Sequence, residues 1–192
     1  SSGSNNLVLA SDGSATINQI SSSTVFPAGG TGNPISVAIL SDVKGTVDAG
    51  TATSGNYDPR DLNTLNDPDS FVTVETTTQT ISGHTSTYRF TLGAGMYSIS
   101  AIVPAFRVAQ HQSQLYDVTG TQVLKMGSTG YSDSGSGQSN SFSNVQFVHT
   151  ISANNTYEIR QKVSVTRGTS GLGVGGSFTN NIFTQVIILK LK

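Results

Sequence analysis

Cysteine is absent from the chain, which excludes disulfides and thiolate metal sites but says little about compartment. Charge is scarce as well. Asp, Glu, Lys and Arg make up 11% of the 192 residues, against about 25% in an average soluble domain. The net charge of −1 leaves no electrostatic footprint for nucleic acid or for an anionic membrane. Long apolar runs are also missing: the longest, Val186–Leu189, is far short of the ~20 residues that cross a bilayer as a helix. The opening SSGSNNLVLA has no charged n-region and no Met, so no signal peptide is read, and a processed chain or a fragment is expected.

Hydroxyl and amide groups supply the polarity instead. The chain holds 28 Ser, 24 Thr and 13 Asn beside 21 Gly. Such a surface is wetted by uncharged groups, and Thr is a good strand former. No segment keeps apolar residues at helical spacing for three turns, whereas period-2 alternation recurs throughout. NLVLASDGSATINQI reads as a hairpin around SDGS, and Ser21–Pro34 as a linker rich in Gly and Pro. These give a short N-terminal arm over 1–34, with the main domain over 35–192 starting at ISVAIL.

In that domain, residues 41–70 read as an excursion of long loops and short edge pieces. Strands follow at FVTVETTTQTI, YRFTL, MYSISAIV, QSQLYDV and QVLKM. Gly127–Ser141 reads as a glycine- and serine-rich loop. In TYEIRQKVSV one face is mostly apolar and the other carries Glu158, Arg160 and Lys162, the mark of a half-buried antiparallel strand. The closing IFTQVIILKLK is apolar enough to be a central strand covered on both faces. About eight strands with irregular loops predict an all-β, two-sheet antiparallel sandwich.

Four features bear on function. GLGVGG, Gly171–Gly176, fits G-x-G-x-x-G, but it runs from one strand pattern into another with no helix to meet a phosphate. It reads as a flexible connection and not as a cofactor site. His84, His111 and His149 are far apart in sequence, G-x-S-x-G is absent, and each His reads as a surface or edge-strand residue, so no enzyme activity, catalytic group or cofactor is expected. Asp58, Asp61, Asp67 and Asp69 are weak calcium candidates: they offer hard oxygens, but the D-x-D-x-D-G spacing is lacking. Turn capping and a pair to Arg60 explain them better, so no metal is expected. Tyr57 and Tyr131 are expected in polar loops, where a ring can stack on a sugar while short polar groups take its hydroxyls. With Asp133 they are the candidate ligand-binding residues.

YRFTLGAGMYSISAIV resembles the strand–Gly–aromatic–strand element of the tumour-necrosis-factor-like jelly roll, shared with the complement globular head. QSQLYDVTGTQVLKMG resembles its next hairpin, TYEIRQKVSV its penultimate strand and IFTQVIILKL its closing inner strand. VAILSDVKGTVDAGTATSGNYDPRDLNTL, AFRVAQHQSQLYDVTG and TRGTSGLGVGG are similar to jelly-roll modules of bacteriophage tail fibres and other virion proteins, the likeness covering about Ile35–Lys192. It departs at Leu172, where an aromatic is expected, and in the charge-poor stretch 131–141. The resemblance implies a homotrimeric jelly roll on the virion exterior, attaching to a host surface glycan or protein, with residues 1–34 joining other virion proteins. A capsid decoration protein is the alternative, and a glycan-processing enzyme a distant third. Val103, Phe106, Tyr157 and Phe183 are candidates for the trimer axis, a monomer core explaining them equally well.

Overall fold

The computed structural model describes residues 7–9, 15–17, 35–75, 78–81, 84–86, 89–135, 137 and 139–191. The chain divides into two compact units, Ser1–Pro34 and Ile35–Lys192. In the first, β1 (Leu7–Leu9) pairs antiparallel with β2 (Ala15–Ile17), Leu9 opposite Ala15. The SDGS turn and the segment read as a linker lie outside the described residues.

The second unit is built of strands. In chain order they are β3 (Ser36–Lys44), β4 (Tyr57–Pro59), β5 (Thr64–Asn66), β6 (Val72–Glu75), β7 (Gln79–Ile81), β8 (His84–Ser86) and β9 (Arg89–Leu92). Then come β10 (Gly95–Phe106), β11 (Ala109–Asp117), β12 (Gln122–Ser132), β13 (Asn140–Ile151), β14 (Asn155–Val163) and β15 (Asn181–Lys190). One sheet runs β13-β10-β15-β3-β5; the other runs β12-β11-β14-β9-β6, with β4 also on β14. β7 and β8 form a separate hairpin.

Of the eight principal strands, β3 and β9 to β15, the first pairs with the last: β3 with β15, β9 with β14, β10 with β13 and β11 with β12, all antiparallel. That nesting makes the fold a jelly roll, an all-β sandwich of two antiparallel sheets. It follows from the alternation in the strands. In β10, Tyr97, Ile99, Ala101 and Val103 are buried while Ser98, Ser100 and Ile102 point the other way. The inward rows of both sheets meet in one core with Leu40, Phe90, Leu115, Ile159, Val186 and Ile188. Val103, Phe106, Tyr157 and Phe183 are all buried within the single chain, so none is free to line an axis between copies.

Two strand expectations need correction. Gly127–Ser141 is mostly strand: β12 runs to Ser132 and β13 begins at Asn140. Its glycines hid the strand because β12 closes one edge of the sandwich against β13, and close approach there forbids side chains. A Cβ on Gly130 would come within 2.4 Å of the His111 ring, and one on Gly127 within 2.5 Å of Ser113 Oγ. The closing strand β15 is central, between β10 and β3, but the described residues cover only one of its faces; Ile187 on the other is 36% exposed.

Candidate functional site

A polar chain crosses the core between the sheets. The Arg60 side chain is 1% exposed and donates to Thr184 Oγ1 (2.7 Å), the Leu172 carbonyl (2.6 Å) and Gln161 Oε1 (3.1 Å). A guanidinium only donates, so Gln161 must present its oxygen to Arg60 and its NH2 to the other side. There Gln161 Nε2 donates to the Pro104 carbonyl and to His111 Nδ1, both at 3.1 Å. His111 therefore carries its proton on Nε2 and donates it to Ser141 Oγ at 2.6 Å. That tautomer cannot accept the Ser141 proton, so the pair is not a base and a nucleophile. His111, 2% exposed, is a core histidine and not the surface or edge residue expected; burial first, then the nearby Arg60 charge, lowers its pKa to about 4. His149 is half-buried, stacked on Phe147 and edge-on to Tyr157, while the side chain of His84 lies outside the described residues.

The aspartates divide by role. Asp42, Asp58 and Asp61 line a small cavity of about 200 Å³ beside Arg60. Asp58 Oδ2 accepts from the Thr53 N–H at 2.9 Å, and Asp42 and Asp61 each pair with Lys44 at 3.0 Å. Burial raises the pKa of Asp42 against the opposing pull of Arg60 and Lys44. Desolvation lowers Arg60 to about 10. Asp67 caps the strand entrance by accepting the Val72 N–H at 2.7 Å, and Asp69 is exposed. Among the described residues, no three His, Asp or Glu converge to hold a metal ion.

GLGVGG is a packed strap and not the flexible connection expected. The Arg60 bond to Leu172 O ties it down, and a Cβ on Gly171 would come within 2.6 Å of the Arg167 carbonyl and 2.7 Å of Ala52. Close backbone approach accounts for the glycine there.

The outer face of the six-stranded sheet carries ions. Glu158, 1% exposed, accepts from Arg89 Nε and, at 2.8 Å, from Arg160 Nε. The Arg160 guanidinium lies 3.4 Å from the centroid of the Tyr116 ring. Further along β14 the same face opens into a groove of about 550 Å³. Tyr57, Lys162, Gln110, Gln112, Thr129 and Ser164 line it, and Lys162 Nζ sits 5.6 Å from the Tyr57 ring centroid. Tyr57 is on β4, directly opposite Lys162, and Tyr131 is on β12, opposite Gln110. Both candidate tyrosines thus stand on strands and on one face, three strands apart, roughly 14 Å. Tyr131 is 63% exposed. Asp133 stands in the turn after β12, where its Oδ1 accepts from the Gly135 N–H at 2.8 Å. The groove could not be read in sequence, because its members come from four separate stretches of chain.

The outer face of the five-stranded sheet is different. Ile187 sits between Ile39 and Ser100, Leu189 between Val37 and Ser98, and Gln185 between Ser41 and Ile102. β13 continues these rows with Gln146, Val148 and Asn144. No position in these rows is charged. Val37, Ile39, Ile187 and Leu189 form a ridge, and beside it Ser98, Ser100 and Gln146 leave a dent of about 390 Å³.

No protein-family model matches the chain, and no curated protein matches it by sequence. Among solved structures it is similar to the globular domain of zebrafish complement 1qA, at 11% identity and TM-score 0.49, covering 82% of this chain and 98% of that one. It is similar to Eiger TNF from S. frugiperda at 12% identity and TM-score 0.49, covering 83% and 94%. Murine APRIL gives 11%, 0.44, 82% and 99%. It is the strand order, and not these likenesses, that makes the fold a jelly roll.

Proposed function

We propose that this chain is a non-enzymatic, homotrimeric head on the exterior of a virus particle, at the tip of a tail fibre or spike, attaching to a host surface glycan or protein. The observation that supports it best is the uncharged outer face of the five-stranded sheet. A face meant to stay wet can carry ions cheaply; one meant to be covered by protein loses affinity for every stranded charge. The ridge and dent lie side by side, so that the ridge of one copy can meet the dent of the next. Repeated head to tail around an axis, such a contact closes into a ring. Three is the number implied by the sequence resemblance, and three weak sites on one rigid head gain avidity without a strong single contact. The groove fits the same role: Tyr57 stands in it beside amides and hydroxyls, Tyr131 is on the same face opposite Gln110, and no carboxylate pair faces across the groove. Residues 1–34, a unit of their own, would join other virion proteins.

Gold labelling of intact source particles with an antibody to the chain, read by electron microscopy, tests the proposal. Label at tail tips is expected. Label over the capsid would mean decoration, and no label on any particle would end the virion assignment.

A further inference from the structure

Resting on that attachment role, we infer that the Tyr57 groove binds an acidic saccharide, with the Lys162 ammonium meeting the anionic group of the sugar and Tyr57 and Tyr131 flanking it. The charges around the groove carry the argument. Lys162 is the one charged side chain among its lining residues, which include no carboxylate. Two strand positions away, on the same face, Arg160 and Arg89 both bond to the Glu158 carboxylate, so each of those cations has an anionic partner. Lys162 has no such partner among the described residues; it lies only over the Tyr57 ring. An ammonium left over an aromatic face, beside unspent hydrogen-bonding groups, is arranged for an anion that brings hydroxyls with it. Those groups are present. Gln112 gives its amide nitrogen to the Gly127 carbonyl at 3.0 Å, which leaves its oxygen open. The Gln110 amide and the Thr129 hydroxyl make no side-chain hydrogen bond among the described residues, and both line the groove. Its volume of about 550 Å³ suits one or two sugar rings.

The test is an NMR titration of the whole chain with three probes: trigalacturonate, a sulphated galactose oligosaccharide and a neutral galactose trisaccharide. Host-cell binding is measured in parallel. One or both acidic probes should shift resonances of Tyr57, Gln110 and Lys162 and bind more tightly than the neutral one, less so as salt is added. The choice between them tells carboxylate from sulphate. Lys162→Gln should weaken the acidic probe about tenfold, the loss of a hydrogen bond to a charged group. Lys162→Arg should retain most of the affinity, and Tyr131→Ala should weaken neutral and acidic probes alike. Equal binding of neutral and acidic probes, or no effect of Lys162→Gln, would overturn the inference. Attachment to cells with no probe in the groove would overturn it and leave the attachment role standing; neither cells nor probes binding would sink both.

Discussion

The two outer faces of the sandwich are made by the same device, alternate residues along antiparallel strands, yet they end in opposite chemistry. On the six-stranded sheet the outward residues of β14 are Thr156, Glu158, Arg160 and Lys162, three of them ionised, and two of those are locked into a cluster with Arg89 and Tyr116. On the five-stranded sheet the outward residues of β15 are Gln185, Ile187 and Leu189, and the neighbouring rows add only Val, Ile, Ser, Gln and Asn. A chain with so little charge has placed none of it on that face. Strand geometry is common to both, so it cannot account for the difference. The proposed assembly would account for it, with water and a polar ligand met on one side and a second copy on the other.

The largest effect should come from importing charge. Ile187→Glu puts a carboxylate on the central strand of the smooth face, where a second copy would have to bury it; an uncompensated buried charge costs about 3–5 kcal/mol. The variant should keep its circular dichroism and melting temperature yet run as a single chain by light scattering. The reverse experiment removes charge from the other face. Glu158→Gln leaves Arg89 and Arg160 buried without their anion and should cost about 3 kcal/mol of stability by denaturant unfolding, with self-association unchanged in whatever stays folded.

Between the faces lies His111, and its effect should appear as a pH slope. Its folded pKa of about 4 lies below its ordinary 6.5, so the unfolded chain binds the proton first. Stability is therefore full above pH 6.5 and is lost as pH falls towards 4, by about 3 kcal/mol. His111→Gln should be less stable at pH 7 but should flatten this window; the difference between the two proteins isolates the imidazole, because Asp42, raised by burial, tilts the curve the other way. The smallest effect belongs to Lys162→Gln, which should change neither self-association nor stability by more than about 0.5 kcal/mol.

The fold was legible because its signal is local. Tyr97, Ile99 and Ala101 alternate with Ser98 and Ser100 whatever the rest of the chain does, and the charged row of β14 was visible in TYEIRQKVSV. The apolar run of β15 predicts cover on both faces, and the described residues supply one; the other cover is what the assembly proposal provides. Less was legible where strands are short or rich in glycine. Tyr57 sits on a three-residue strand that exists only because β14 pairs with it, and Tyr131 on a strand whose glycines serve close packing. The Arg60–Gln161–His111–Ser141 chain was invisible, since its members are joined only by the sandwich closing around them.

Light scattering on the unaltered protein at micromolar concentration tests the central claim most directly. A mass three times that of the chain is the predicted result, and the mass of a single chain would contradict it.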